Sequence, residues 1–196
     1  MLIPESTRKR KGGDDPGPAA LDSVTSALPA SLRAKLLEAR ETVLKETRSL
    51  VLGRAVMPGY RRFDGNMYRH IPPEAWEDRA AGVEVLIVSG PYGLIGSRDP
   101  IPAYEHSMAE PAAPFGKLNR WWHSRSLPEI LAGYIDSVGP RTVVDLLSLE
   151  YREAVTGYQD RVRDAEVVPI DFPGLGRASQ PRRGERVADV LRSGHL

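Results

Sequence analysis

The sequence contains no cysteine, which excludes disulfide bonds, a thiolate nucleophile and any metal site built on cysteine ligands. Histidine is also scarce, and no two of the four histidines lie at the i, i+4 spacing of a helical zinc site. We therefore expect neither a bound metal nor a cofactor. The lack of cysteine is also compatible with a reducing compartment.

An excess of charge of one sign is missing too. The chain has 27 Lys and Arg against 26 Asp and Glu, so its overall field would not draw it to DNA. Contact with nucleic acid would have to come from local basic clusters, for which solvated surface is the simpler interpretation. The clusters are Arg8–Lys11, Arg61 with Arg62, and Arg182 and Arg183 with Arg186.

No apolar run approaches the roughly 20 residues that cross a bilayer. Charged residues stand near the N-terminus, where a signal peptide would be apolar. We therefore expect a cytoplasmic protein with no membrane partner. The length of 196 residues suits one domain of ordinary size, spanning residues 1–196.

Glycine, proline and aspartate are frequent in residues 11–29, which predicts a loop. An amphipathic helix is predicted next, with Ser31 as its N-cap. Its apolar residues recur in pairs seven apart and continue as far as Leu50 and Val51. Gly53 is the expected end of this helix.

Three short apolar runs rich in β-branched residues predict buried strands at 83–90, 142–147 and 166–172. Pro169 places the last of them at a sheet edge or bulge. Further helices are predicted at 126–138, just after Ser148, and at about 184–192. Strands that alternate with helices in this way predict a mixed α/β fold, in which helices flank a central mixed sheet.

The helix at 126–138 has the clearest boundary signals. Ser126 and Glu129 match a capping box, and Pro128 falls in the first turn, where its missing N–H costs little. Gly139 and Pro140 are the expected stop.

Five segments of unusual composition follow one another along the chain. They are PESTRKRKGG (4–13), FDGNMY (63–68), SGPYGLIGSRDPIPAYEHSM (89–108), LLSLEYREAV (146–155) and SQPRRGERVADVL (179–191). Their order and content resemble the YaaA family of peroxide-stress proteins, almost from end to end. The chain departs from the family pattern after Tyr104, where Glu105-His106 replaces the usual Arg-Leu and removes an arginine suited to holding an anion.

The resemblance implies a single α/β domain of unusual topology. Bacterial relatives are linked to lowering free iron under peroxide stress and to DNA binding, in part through a helix-hairpin-helix-like element. More distant relatives occur with modified-purine and tRNA-modification systems, and no generally accepted reaction comes with the family. The β-branched TVVDLL run and the absence of a Gly-x-Gly hairpin argue against such an element at 130–147.

Several residues at the predicted strand ends have both a functional and a structural interpretation. Gly90, Gly93 and Gly96 surround Tyr92, where they either let the backbone approach a ligand or form a tight turn. Asp99 is a general base, a ligand-anchoring group or a turn carboxylate.

The second predicted strand is followed by a similar group. Ser148 and Glu150 suit a helix start, yet a helix start at a strand end also suits an anion or a nucleotide, and Tyr151 lies beside them. Together, Asp99 and Glu150 would give a carboxylate pair for acid–base chemistry. Tyr104 either acts as an acid, stacks on a base, or is half-buried with its hydroxyl satisfied.

Basic and aromatic residues complete the candidates. Lys9 comes from one end of the chain and Arg182 and Arg183 from the other, and they would meet at one pocket to hold an anion; the alternative is a solvated basic tail. Of Trp121 and Trp122, either one stacks on a base or one belongs to the core and the other to a rim.

The predicted site therefore combines two groups of residues. Those assigned to catalysis are Tyr92, Asp99 and Glu150. Those assigned to ligand binding are Glu5, Lys9, Tyr68, Ser89, Gly93, Tyr104, Ser148, Tyr151 and Arg183. Because strand ends in α/β sheets converge on one edge, we expect segments 4–9, 89–108, 148–151 and 179–184 to line a common cleft.

Two functions fit these observations. The first is the binding of nucleic acid, a nucleotide or a nucleobase, linked by the resemblance to protection against peroxide stress. The alternative is an enzyme that acts on a purine, a nucleoside or another small polar substrate in specialised metabolism. The near-neutral charge and the missing arginine after Tyr104 favour the alternative over a bulk DNA binder.

Overall fold

The computed structural model describes residues 1–15 and 22–195. In this part of the chain the helices are α1 (Ser23–Ala27), α2 (Ala30–Glu46), α3 (Gly59–Arg62), α4 (Asn66–Arg69), α5 (Pro73–Glu77), α6 (Leu118–Ser124), α7 (Leu127–Val138), α8 (Leu149–Val155) and α9 (Ser179–Ser193). Short 3₁₀ turns cover Arg48–Leu50 and Gly176–Ala178.

The strands of the described residues form one large sheet and two small ribbons. They are β1 (Leu2–Pro4), β2 (Val51–Pro58), β3 (Leu86–Ser89), β4 (Gly93–Gly96), β5 (Pro100–Tyr104), β6 (Pro111–Ala112), β7 (Gly116–Lys117), β8 (Thr142–Asp145) and β9 (Glu166–Pro169). The large sheet has the order β4-β3-β1-β8-β9, while β2 pairs with β5 and β6 with β7.

Strand direction decides where polar residues gather. β3, β1, β8 and β9 are parallel neighbours, and only β4 runs antiparallel, against β3. The carboxyl ends of four strands therefore lie on one edge of the sheet, the arrangement that places ligand sites in α/β folds. The predicted mixed α/β architecture is confirmed.

Apolar side chains of the sheet alternate between two cores. Leu2 and Val143 belong to the cluster that packs against α2, α6, α7 and α8, whereas their neighbours Ile3 and Val144 belong to the cluster that packs against α4, α5 and α9. Since successive strand residues point to opposite faces, one short strand supplies both cores. The sheet is consequently covered on both sides.

Several predicted boundaries are confirmed and several are wrong. The strands predicted at 83–90, 142–147 and 166–172 appear in shortened form as β3, β8 and β9, with β9 at the sheet edge. The prediction of Ser31 as the N-cap of α2 is wrong, because Pro29 occupies that position and the helix begins at Ala30. The helix ends at Glu46, so Val51 opens a strand instead of continuing a helix. Part of the loop predicted at 11–29 is the helix α1, and residues 16–21 lie outside the described residues.

The predicted capping box of α7 is wrong. Ser126 has the left-handed conformation, with φ of 64°, and its side chain makes no capping hydrogen bond. The stop at Gly139 is confirmed, because this residue adopts φ of 64° and its N–H donates to the Ile135 carbonyl. The C-terminal helix is longer than predicted and begins at Ser179.

Candidate functional site

A cavity of about 540 Å³ opens at the carboxyl-end edge of the sheet. Its walls come from the segment after β1, the loop after β5, α4, and the first turns of α8 and α9. Five residues predicted to form the site line it: Glu5, Tyr68, Ser148, Glu150 and Tyr151. We refer to it below as the strand-end cavity.

The carboxylate of Glu5 forms the floor of this cavity and is only 4% exposed. Its Oε1 accepts the backbone N–H groups of Gly90 at 2.8 Å and Met108 at 2.9 Å. Its Oε2 accepts the hydroxyl of Tyr104. One side chain after β1 thus joins the end of β3 to the segment that follows β5.

Tyr104 extends the hydrogen bonding beneath the floor. Its hydroxyl oxygen lies 2.9 Å from the hydroxyl of Ser89, which donates to it because the phenolic hydrogen points to Glu5. Burial, followed by the nearby Glu5 charge, raises the pKa of Tyr104 well above its ordinary value. The phenol therefore stays neutral in a chain of hydrogen bonds from Ser89 to Glu5.

The ammonium group of Lys9 lies over the ring of Tyr104. This group lies 3.9 Å from the ring centroid and donates a 2.5 Å hydrogen bond to the carbonyl of His106. Burial lowers the pKa of Lys9, and the charge of Glu5 opposes that shift. At the departure from the family pattern, Glu105 is exposed and His106 is buried. The acceptor for Lys9 is the backbone carbonyl of His106, which does not depend on the side chain there.

Two further tyrosines pack around the cavity. The hydroxyl of Tyr68 donates to the Pro4 carbonyl at 2.8 Å, and its ring contacts Phe63 with centroids 5.3 Å apart. Burial raises the pKa of both Tyr68 and Tyr151 well above the usual range. The cavity therefore has neutral aromatic walls above a carboxylate floor.

On the opposite wall, Ser148 and Glu150 begin α8. Ser148 occupies the predicted N-cap position, but its hydroxyl donates to the Glu150 carboxylate at 3.1 Å and makes no side-chain cap. Glu150 is exposed and faces the cavity. This carboxylate is consequently available to donors of a ligand.

Asp99 does not join this site, and the predicted pairing of Asp99 with Glu150 is wrong. β4 reverses the chain, so Gly96 pairs with Leu86 at the opposite edge of the sheet, and Asp99 follows there. Its Oδ1 accepts the Ser23 N–H at 3.0 Å and its Oδ2 accepts the Gly96 N–H at 2.7 Å. Burial raises its pKa despite these hydrogen bonds. The Asp99 carboxylate therefore stabilises the turn after β4 through these backbone hydrogen bonds.

Tyr92 is also separated from Glu150. It lines a second cavity, of about 780 Å³, together with Asp99 and Arg40. Its carbonyl accepts the Arg40 Nε at 2.8 Å, and its ring meets Tyr104 edge-on with centroids 5.9 Å apart. Burial raises the pKa of Tyr92 to about 12. The three residues predicted to be catalytic therefore do not line one common cavity.

Gly93 has a structural reason to be glycine. It begins β4 with φ of 69°, and a Cβ there would lie 2.8 Å from the ring of Trp122. Trp122 is fully buried and its indole N–H donates to the Gly90 carbonyl at 2.6 Å, while Trp121 is partly buried. The alternative of one core and one rim tryptophan is the one observed.

Lys9 and Arg183 have separate neighbours in the described structure. Arg183 is 5% exposed and its guanidinium lies 5.3 Å from the Phe172 ring centroid, whereas Lys9 contacts Tyr104. The structure thus gives no contact that supports a shared anion pocket for the two. Solvated surface is also the wrong interpretation for Arg62, which is fully buried and donates to backbone carbonyls.

Sequence reasoning missed part of the cavity rim. Asp64 receives a 2.8 Å hydrogen bond from Arg69 and lies 3.7 Å from the guanidinium of Arg8. The hydrogen bond from Arg69 is the largest cause that lowers the Asp64 pKa. The hydroxyl of Ser6 accepts the Gly65 N–H at 3.1 Å. Asp64 belongs to the FDGNMY segment, so the sequence pattern could have identified it as a residue of the cavity rim.

A protein-family model described as peroxide stress protein YaaA matches residues 21–178. The chain belongs to this family. The matched range contains Tyr68 and Glu150, while Glu5 and Arg183 lie outside it. The description links the YaaA family to peroxide stress and names neither a ligand nor a reaction.

A UPF0246 protein of Ruegeria sp. (strain TM1040) is 34% identical to this chain over 98 residues. The similarity covers 47% of this chain and 39% of that protein. The chain therefore matches well under half of the relative's length.

Two further observations concern only residues 1–15 and 22–195. No helix there has both the length and the apolar character needed to cross a membrane. No group of three or more metal-ligating side chains is placed in that part of the chain to hold an ion.

Proposed function

We propose that this member of the YaaA family binds a small ligand that carries a nucleobase, in the strand-end cavity. The observation that carries the proposal is the convergence of five separate segments on one polar cavity, with a buried carboxylate at its floor and tyrosines in its walls. Sites for small molecules are concave, largely preformed and equipped with few convergent polar groups.

The donor and acceptor pattern suits a nucleobase. Glu5 Oε2 accepts one hydrogen bond, from Tyr104, so it retains the capacity to accept another from an amino or ring N–H group. Glu150 offers a second acceptor across the cavity. Tyr68 and Tyr151 give flat apolar contact beside these acceptors.

The size of the cavity favours a small molecule over a polymer. A volume of about 540 Å³ falls within the range of about 300–1,000 Å³ for ligand sites, which admits a base, a nucleoside or a mononucleotide. Duplex DNA would contact only the rim, through Arg8, Arg10 and Arg69, which all lie near Asp64. We propose that any such contact is weak and steeply salt dependent.

An enzymatic function is a second candidate. The hydrogen-bonded chain Ser89–Tyr104–Glu5 favours it, because it would let Glu5 exchange a proton with a bound purine or nucleoside. Glu5 thereby replaces the pair of Asp99 and Glu150 as the acid–base group to test. Peroxide-stress protection is the setting that the family description favours for either activity. The cytoplasm is the location that we propose for it.

A variant that fills the cavity tests the proposal. Ala109 is half-buried at the cavity wall, so Ala109→Trp should block the cavity with little change in the core. Exposed Ala30→Trp, at the start of α2, is the matched control. Calorimetric titration with adenine, guanine, adenosine and AMP should show binding to the wild type and to A30W but not to A109W.

Chromatography of the incubated nucleosides and nucleotides separates the two candidates. A converted product would favour the enzyme, and binding without conversion would favour the binding protein. If none of the four ligands binds the wild type, or if A109W binds as A30W does, the proposed function is wrong.

A further inference from the structure

Arg183 carries a buried charge, and two of its guanidinium nitrogens have no hydrogen-bond partner in the described part of the chain. The side chain is 5% exposed, and its Nε and Nη1 atoms are enclosed with no acceptor among the described residues. Native proteins pair nearly all buried polar groups, and an unpaired buried cation is strongly unfavourable. The guanidinium therefore needs an acceptor that residues 1–15 and 22–195 do not supply.

Three carboxylates act on the charge of Arg183, and two of them, Asp171 and Asp145, are already engaged by Arg152. The third is Glu150 of the strand-end cavity. Asp171 accepts Arg152 Nη1 at 2.8 Å, and Asp145 lies 3.3 Å from Arg152 Nε. Asp145 also accepts the Tyr158 hydroxyl at 3.2 Å. The Phe172 ring, whose centroid lies 5.3 Å from the Arg183 guanidinium, gives the charge a cation–π contact but provides no acceptor for Nε and Nη1.

Arg183 does not line the strand-end cavity but lies beside it, since the charge of Glu150, which does line it, acts on the guanidinium. Gln180, which lies one helical turn earlier on the same face of α9, lines that cavity. Helical side chains lean towards the N-terminus of their helix, so Arg183 extends towards Gln180. α9 packs closely against α4 at this point, because a Cβ on Gly184 would lie 2.2 Å from the Met67 carbonyl oxygen.

We propose that Arg183, with Arg152 beside it, forms a subsite for an oxyanion, phosphate or carboxylate, of the ligand in the strand-end cavity. A guanidinium presents parallel N–H donors that match two oxygens of such a group. The bound oxyanion supplies acceptors to Arg183 Nε and Nη1. This inference rests on the proposed function and narrows it to an anionic ligand, such as a nucleotide rather than a nucleoside.

Burial and electrostatics are consistent with an anion at this point. Burial lowers the pKa of Arg183, and the charge of Arg152 lowers it further, while Asp171, Glu150 and Asp145 raise it. The unliganded guanidinium is thus held in an environment that disfavours its charge. A bound anion would relieve that cost, so ligand affinity and local stability are linked.

The test compares Arg183→Met with Arg182→Met. Arg182 is the exposed neighbour on α9 and pairs with Glu185 at 3.0 Å, which makes it a matched control. Thermal unfolding is followed with inorganic phosphate, with acetate and with chloride at equal ionic strength. Without added anion, R183M should be at least as stable as the wild type, because an unpaired buried charge has gone.

Phosphate or acetate should raise the melting temperature of the wild type and of R182M but not of R183M. A response to phosphate alone identifies a phosphate ligand, and a response to acetate alone identifies a carboxylate ligand. If phosphate is the ligand, AMP should bind the wild type at least about tenfold more tightly than adenosine, and R183M should lose that preference. If R183M does not fold, Arg183→Lys, which keeps the charge but not the paired donors, gives the same comparison.

Two results would overturn the subsite: no anion stabilises the wild type, or R183M responds as R182M does. The outcomes also separate the two proposals. If phosphate stabilises the protein through Arg183 and no nucleobase compound binds, the subsite stands and the proposed function fails. If adenosine and AMP bind equally to the wild type and to R183M, the proposed function stands and the subsite fails.

Discussion

The ammonium group of Lys9 lies 3.9 Å from the centroid of the Tyr104 ring, on a phenol whose hydroxyl is bound to Glu5. Lys9 therefore offsets part of the cost of its own burial through the ring and through the His106 carbonyl. Lys9→Met keeps much of the side-chain volume. It removes the charge and, with it, the free-energy cost of burying that charge. At neutral pH we expect the free energy of unfolding to change by about 1 kcal/mol or less.

The pH dependence of that difference has a defined sign. Burial lowers the pKa of Lys9 below its usual 10.5, so the folded protein binds fewer protons than the unfolded chain between the lowered value and 10.5. The wild type should thus gain stability relative to K9M as the pH rises from the lowered pKa of Lys9 towards 10.5. Urea unfolding measures this, with exposed Lys45→Met as control. A constant difference between wild type and K9M would contradict the burial argument.

The tyrosines give a second prediction. Each of the seven has a pKa raised above its usual value, with burial as the largest cause. A raised phenol pKa stabilises the fold below the unfolded value of 10, and that contribution is lost as the pH rises through the folded value. Ultraviolet titration should show little tyrosinate near pH 10 until the protein unfolds, and then a single cooperative increase. A gradual rise without unfolding would be inconsistent with these environments.

Asp99 and Glu150 should behave in opposite ways when neutralised. Asp99→Asn replaces an acceptor of the Ser23 or Gly96 N–H with an amide donor, so we expect a loss of about 1–3 kcal/mol in unfolding free energy and unchanged ligand affinity. Glu150→Gln should reduce affinity for a nucleobase ligand with a stability change of at most about 1 kcal/mol. Glu129→Gln, also a first-turn acid, is the control. Equal affinity in E150Q and E129Q would remove Glu150 from the site.

Gly93→Ala is predicted to destabilise the fold. The residue adopts φ of 69°, and an added Cβ would lie 2.8 Å from the Trp122 ring, a rigid group with its N–H bound to Gly90. The left-handed conformation and the clash together should cost about 2–4 kcal/mol. Exposed Gly82, also at positive φ but with open space at its Cβ, gives the comparison, and G82A should cost only the conformational part. Equal losses in unfolding free energy would show that packing on Trp122 is unimportant.

The sequence predicted those elements whose signals are local. β-branched runs predicted β3, β8 and β9, and Gly139 predicted the end of α7. β2 was missed because its first residues continue the apolar spacing of α2 and because Gly53, with φ of 107° inside the strand, was interpreted as a helix stop. Ser126 matched a capping box by composition, but its left-handed backbone turns the side chain away from that role.

The site was predictable in part for the same reason. Ser148 and Glu150 follow a recognisable strand end, and parallel strands bring such ends together. Tyr68 was predicted only through the FDGNMY segment of the family resemblance. Asp99 was misplaced because the reversal at β4 carries it to the far edge, and no local pattern shows that a strand is antiparallel. Tyr104 meets Glu5 across 99 residues, a contact that only the tertiary structure sets.

Glu5 accepts hydrogen bonds from three positions that are distant along the chain, namely Gly90, Tyr104 and Met108. The end of β3 and the segment after β5 are therefore both held by hydrogen bonds to the same carboxylate. A ligand that forms a hydrogen bond with Glu5 would therefore strengthen or weaken the hydrogen bonds of both segments together. Hydrogen exchange at the Gly90 and Met108 amides should then respond in step to any compound that enters the strand-end cavity, even one that never touches either residue.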